Sequence, residues 1–146
     1  MRKKYIRHIL FLMLLYCVIP AFVQGQNTYS SESDLKKQAA KLFDKEDYTT
    51  AYPLYSQLLS LYPKNGDYNF KFGVCILLST GDKEKPIPYL EFASKQPDVD
   101  KDVFYYLAKA YHLNYRFDDA IAMYQKYKSV GSKSQIEKFQ VDRQIA

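Results

Sequence analysis

Three small residues recur along this chain at almost equal spacing. Ala39 and Gly73 lie 34 positions apart, and Gly73 and Ala108 lie 35 apart. An apolar or aromatic residue follows each of them three positions later, and then come a turn and a second amphipathic run. A period near 34 residues is typical of helix pairs that stack into a solenoid. Because one pair cannot bury its apolar side alone, the pattern favours a surface for holding other molecules over a catalytic pocket.

Residues 1–25 have the pattern of a secretory signal peptide. A basic stretch precedes the apolar run at 9–19, Pro20 ends that run, and Val23 and Gly25 supply small residues for cleavage after Gly25. The run is shorter than the roughly 18–20 residues that span a bilayer, which favours cleavage over the alternative, an uncleaved membrane anchor. Lipidation of Cys17 is disfavoured because Tyr16 precedes it, where a small residue is needed.

The positive charge of the chain belongs mostly to this targeting segment. The net charge of +5 falls to +1 when the four basic residues of 1–25 are removed, because that stretch has no acidic residue. Electrostatics therefore give no support to nucleic-acid binding. Cys75 is the one cysteine after residue 25 and lies in an apolar run. A lone thiol makes no intramolecular disulfide and no Cys-rich zinc site, so we expect it to be buried.

Apolar periodicity after the targeting segment predicts an all-α chain. Pro86 and Pro88 predict that the fourth helix starts late, because proline is tolerated in a first turn. A polar lead at 26–33 is predicted to be flexible, and the last helix, at 134–146, is either a cap or a truncated element. The predicted helices cover 34–45, 49–62, 68–79, 83–95, 100–113 and 117–130, and they form units at 34–65, 66–99 and 100–130.

In these features the chain resembles the tetratricopeptide repeat (TPR) family. The family has a small residue at the eighth position of each unit, alanine at the twentieth and an aromatic residue at the twenty-fourth. The middle unit departs from this pattern, with Pro86 and Leu90 at the last two positions after a one-residue insertion. The resemblance implies a right-handed α-solenoid of three TPR units plus a C-terminal helix. The repeat-packing residues that match are Ala39, Ala51, Tyr55, Gly73, Ala108, Ala120 and Tyr124.

The resemblance also implies a concave groove, lined by the first helix of each unit, that holds a protein or peptide partner. The alternative is that Phe70 and Tyr105 only pack a short stack. A carboxylate clamp of the chaperone-binding type is disfavoured, since only Lys36 matches it and Asp102 would repel a carboxylate. The predicted groove residues are Lys36, Phe43, Phe70, Lys71, Tyr105, Lys109 and His112.

Residues that carry chemistry are scarce in the sequence. His112 has no partner in sequence that would build a metal site or a nucleophilic triad. The acidic run at 98–102 lacks the glycine and the terminal glutamate of a calcium loop. No glycine-rich phosphate loop is present in the sequence. The sequence therefore predicts a protein that is not an enzyme, with no catalytic residue, metal, cofactor or small-molecule substrate.

A signal peptide followed by Tyr-rich and Lys-rich TPR units resembles the N-terminal region of Bacteroidota envelope proteins. Such proteins often continue into a β-propeller and an OmpA-like domain. The resemblance implies an exported, periplasmic scaffold whose partner belongs to an envelope or outer-membrane complex, with secretion or gliding as its setting. The alternative is that the chain is the N-terminal part of a larger peptidoglycan-anchored protein, with the repeats as a docking arm or spacer.

Overall fold

A computed structural model describes residues 31–145, and every regular element in that range is an α-helix. The predicted signal peptide at 1–25, and the predicted lead up to residue 30, lie outside the described residues. No helix within 31–145 is long and apolar enough to cross a membrane. The helices are α1 (Glu32–Asp44), α2 (Tyr48–Leu61), α3 (Gly66–Ser79), α4 (Pro86–Ser94), α5 (Asp102–Leu113), α6 (Phe117–Val130), α7 (Lys133–Lys138) and α8 (Val141–Ile145).

Side-chain caps fix where the first three helices begin. The Ser31 hydroxyl accepts from the Asp34 N–H at 3.2 Å, so α1 starts at Glu32 and the last two residues of the predicted lead are helical. The Asn65 side chain accepts from the Tyr68 N–H at 2.9 Å, which starts α3 two residues earlier than predicted. Such caps satisfy N–H groups that have no partner within the helix.

The fourth helix starts late, as the prolines predicted. It begins at Pro86, whose missing N–H costs nothing in a first turn. The residues before it form a bend in which the Asp82 carboxylate accepts from the N–H groups of Glu84 and Lys85, at 3.1 and 3.0 Å. The insertion in the middle unit is therefore absorbed by a loop rather than by the helix.

Six helices form three helix–turn–helix units, which confirms the all-α repeat fold. Each helix packs mainly against its neighbours in the chain, and α3 also touches α5. One residue in each intra-unit turn has a positive φ: Glu46 at 59°, Gly81 at 73° and Tyr115 at 60°. Only the middle turn uses glycine, the residue that adopts this conformation without steric cost.

The small residues of the repeat lie where the paired helices cross. Ala39 and Ala108 are fully buried, with Tyr55 and Tyr124 beside them in the cores of the outer units. A Cβ added to Gly73 would lie 2.8 Å from Cγ of Leu90. The middle unit therefore requires glycine at this position, because its second helix approaches more closely than alanine would allow. Ala51 and Ala120 are also buried.

The predicted single helix at 134–146 is instead two short helices, α7 and α8. The break lies at Phe139 and Gln140, and Gln140 has a φ of 50°. Residues two apart in one helix point about 200° apart around its axis. A continuous helix could not turn both Phe139 and Val141 toward the stack, and the break allows both to pack there.

Candidate protein-binding face

The first helices of the three units, α1, α3 and α5, bring a row of aromatic rings together. The Phe43 and Phe70 ring centroids are 6.3 Å apart, and those of Phe70 and Tyr106 are 6.0 Å apart. Phe43 also meets Tyr48 edge-on at 5.4 Å. Offset and edge-on contacts of this kind are favourable for aromatic rings. We call the surface that carries this row the first-helix face.

Phe70 does not line an open groove, contrary to the sequence prediction. Its side chain is only 3% exposed and belongs to the core. The reason is that α3 packs against α2 and α4 and also touches α5, so most of its circumference is covered. Phe70 fills the gap between Phe43 and Tyr106, and these two half-buried rings carry the accessible part of the row.

The two predicted lysines of α1 and α3 are each held by an acidic residue one turn earlier. Lys36 pairs with Glu32, and its ammonium lies 5.0 Å from the Tyr62 ring centroid. The Tyr62 hydroxyl donates to Glu32 at 2.5 Å. The hydrogen bond from Lys36, then that from Tyr62, hold the pKa of Glu32 below its ordinary value. The charge of Lys36 is thus compensated locally.

Lys71 repeats this arrangement on α3. Its ammonium lies 2.9 Å from the Asp67 carboxylate and 5.9 Å from the Phe43 ring centroid. Pairs spaced by four residues on a helix are weak individually, and their main effect here is to fix where each ammonium lies. Lys71 therefore borders the aromatic row as an ordered, locally neutral group, and Lys36 is held in the same way beside Tyr62.

Tyr105 is covered by the chain itself. The Phe139 ring stacks on it with centroids 4.0 Å apart and planes 9° apart. Burial raises the pKa of Tyr105 above its ordinary value. Burial also raises the pKa of Tyr106, and the neighbouring Tyr48 hydroxyl adds to that rise. Sequence reasoning gave Phe139 no role on this face. The sequence did carry one signal that this segment packs on the third unit. The 34-residue period, continued past Ala108, places Val141 near the next packing position.

Lys109 and His112 lie further along α5. Lys109 is partly exposed and has no ion pair within residues 31–145. His112 is exposed and meets Phe117 edge-on at 5.5 Å, at the turn into α6. The structure therefore brings Phe43 and Lys71 together. It places Lys36 beside Tyr62 and His112 beside Phe117.

Groups that could perform chemistry are not assembled in the part of the chain that the structure describes. No cluster of three or more His, Cys, Asp or Glu side chains that could hold a metal ion occurs there. Cys75 is fully buried, and burial raises the pKa of its thiol to about 12. A thiol in that state is a poor nucleophile and a poor ligand. What the described surface offers is shape, aromatic rings and ordered lysines.

Two solved structures have the same arrangement of helices. One is the type III secretion chaperone SycD of Yersinia enterocolitica in complex with a peptide of the translocator YopD. It has a TM-score of 0.64 and 14% identity over 82% of this chain and 94% of that one. The other is the Sgt2 TPR domain of Aspergillus fumigatus, with a TM-score of 0.60 and 21% identity over 77% and 78% of the two chains.

The fold is TPR-like. At these identities the likeness concerns the fold alone. No family model matches the chain, and no curated protein matches it. The TPR part of the sequence-based interpretation is thus supported at the level of architecture.

Proposed function

We propose that this chain is a non-enzymatic scaffold that binds a segment of a partner protein on its first-helix face. The observation that carries the proposal is the row of aromatic rings that crosses all three units, in which Phe43 and Tyr106 are partly buried and keep an accessible edge. Exposed aromatic rings on a rigid support are typical of protein-binding surfaces. The SycD structure supports the same reading, because that TPR-like fold is in complex with a peptide.

The chemistry of the face favours an apolar segment over a highly acidic one. Lys36 and Lys71 already have carboxylate partners, so they contribute alkyl stems and ordered edges more than free charge. Lys109 has no such partner within residues 31–145 and is available to one acidic group. We therefore propose a partner segment with apolar side chains over the aromatic row and at most one carboxylate near Lys109.

Site-specific photo-crosslinking tests this assignment in the cell. A photoreactive phenylalanine analogue replaces Lys109 or Lys71 on the first-helix face, or Lys64 in the exposed loop between α2 and α3 as the matched control. We expect a discrete crosslinked protein from the first two positions and none from Lys64. Equal crosslinking from all three positions, or none from the first-helix face, would contradict the proposal.

We further propose that the protein is exported and acts in the periplasm, within an envelope assembly that includes outer-membrane components. The support is the basic–apolar–small pattern of residues 1–25. Cell fractionation with N-terminal sequencing tests it, and we expect a periplasmic protein that begins at Gln26. Recovery of the uncleaved chain from the inner membrane would instead identify residues 9–19 as an anchor.

A further inference from the structure

The C-terminal segment, residues 133–145, occupies a site on the third unit. Phe139 lies in a depression formed by Tyr105, Tyr106 and Tyr127, which we call the aromatic cradle. Its ring stacks on Tyr105 at 4.0 Å and meets Tyr106 and Tyr127 at 6.1 and 6.0 Å between centroids. One ring thus contacts three tyrosines from two helices. The anchor residues of protein–protein interfaces are enclosed by partner side chains in the same way.

Two further contacts follow Phe139 in sequence. Val141 is 0% exposed where α8 packs on α6. The next residue, Asp142, forms an ion pair with Lys128 of α6. The site therefore accepts, in order, an aromatic ring, any residue that adopts a positive φ, an aliphatic side chain and a carboxylate.

The C-terminal segment is weakly fixed compared with the helices beneath it. It consists of helices of six and five residues, separated by Gln140 with its positive φ. Val141 is its only buried residue within the described range. Helices this short have no independent stability in water. Elements with few buried contacts open locally, well below the free energy of global unfolding.

We propose that the aromatic cradle is a docking site for a partner segment of the pattern aromatic–any–aliphatic–acidic, which displaces the C-terminal segment. The inference rests on the proposed function, since it assigns part of the partner's sequence. The aromatic residue of the partner takes the place of Phe139, and its carboxylate takes that of Asp142 on Lys128. The chain's own segment then acts as an internal competitor that sets how strongly a partner must bind.

A peptide with the sequence of residues 132–145, labelled with a fluorophore, is the probe. In the wild-type chain it competes with a tethered copy whose effective concentration is on the order of mM. In the full-length Phe139→Ala variant the competitor lacks its anchor, so more of the chain is open. We expect the variant to bind the peptide at least about tenfold more tightly than wild type, by fluorescence anisotropy.

A second peptide, with alanine in place of its phenylalanine, keeps the test independent of protein folding. We expect it to bind neither the wild-type chain nor Phe139→Ala measurably. Equal affinity of both peptides, or of both proteins, would overturn the proposal. So would a wild-type dimer in light scattering that Phe139→Ala abolishes, because a second copy would then be the occupant.

Failure here is distinguishable from failure of the proposed function. Crosslinking at Lys71 reports on α3 beside Phe43, whereas Phe139 is held by residues of α5 and α6. Partner crosslinks at Lys71 without peptide binding to Phe139→Ala would leave the first-helix face as the binding surface and remove the cradle from it. If the peptide binds but Lys71 gives no crosslink, recognition is located on the third unit alone.

Discussion

The two ends of the helical stack within residues 31–145 differ in whether a further segment covers them. At the end formed by α1, Lys37, Lys41 and, just after the helix, Lys45 are exposed at every fourth position. At the other end, α5 and α6 present the tyrosines of the aromatic cradle, and α7 and α8 cover them. A terminal unit of a repeat protein needs either a polar outer face or a cover. Here α1 has the polar face, and α5 and α6 have the cover.

The difference has an energetic consequence. Water solvates the lysines of α1 directly, and no other helix within residues 31–145 covers them. The α5–α6 end gains its stability from burial of tyrosine rings beneath a short segment, and it loses that stability if the segment leaves. We therefore expect perturbations to act strongly at the α5–α6 end and weakly at the α1 side.

Alkaline pH should produce the largest effect. Burial raises the pKa of Tyr111 and Tyr124 to about 12, and raises those of Tyr106 and Tyr127 as well, so four such groups lie at this end, compared with Tyr55 in the core of the first unit. An unfolded tyrosine has a pKa near 10. Their stabilisation is therefore complete below about pH 10 and is lost as the pH rises toward 12. We expect cooperative unfolding in this window, followed by circular dichroism and tyrosinate absorbance.

Two substitutions test whether a buried tyrosine sets the midpoint of alkaline unfolding. Tyr124→Phe removes a buried titrating group and should move the midpoint to higher pH. Tyr115→Phe is the matched control, because that ring is 78% exposed and its loss should leave the midpoint in place. Equal shifts for both variants would show that burial at the α5–α6 end is not what sets the transition.

Tyr127→Ala should be the most destabilising single substitution at the covered end. Its ring is fully buried, and its hydroxyl donates to Asp102 at 2.8 Å. Truncation of a buried aromatic side chain costs about 3–5 kcal/mol in the free energy of unfolding. Tyr127→Phe keeps the ring and should cost only about 1–2 kcal/mol. Urea titration measures both, and equal losses would contradict the view that ring burial dominates.

Val141→Ala should have an intermediate effect confined to one end. The side chain is the sole buried residue of the C-terminal segment, and its truncation costs about 1–3 kcal/mol. Hydrogen exchange should show faster exchange in α7 and α8 and unchanged protection in α1 and α2. Faster exchange at both ends alike would mean that the ends are coupled through the middle unit.

The triple substitution of Lys37, Lys41 and Lys45 by glutamine should have the smallest effect. These side chains are exposed and form no ion pair within residues 31–145. Surface changes of this kind alter the free energy of unfolding by about 0.5 kcal/mol or less. A loss well above about 1 kcal/mol in thermal or urea unfolding would contradict this expectation, because it would mean that the α1 side also depends on a cover.

The sequence predicted the repeat well because its signals are local and periodic. The spacing of Ala39, Gly73 and Ala108 follows from helix crossings, which recur in each unit whatever lies outside them. The late start at Pro86 follows from backbone chemistry alone. These features depend on residues near one another in the chain, so a single sequence shows them.

The face was predicted less well because its exposure depends on tertiary contacts. α3 is apolar almost all round, so nothing in its pattern separates a core ring such as Phe70 from a surface ring. The break at Gln140 exists because Phe139 and Val141 both pack inward, a requirement set by α5 and α6. The ion pair of Lys36 was within reach of sequence reasoning, since Glu32 precedes it by one helical turn.

The reactivity of the buried Cys75 thiol reports on how often the helices around it open. With a pKa of about 12, roughly one thiol in 10⁵ is ionised at neutral pH, and the side chain has no route to solvent while its helices stay packed. Alkylation therefore proceeds only through opening of the α1–α3 cluster. In the chain that begins at Gln26, where Cys75 is the one cysteine, the rate at which a thiol reagent labels the folded protein measures how often this part of the solenoid opens, without an engineered cysteine.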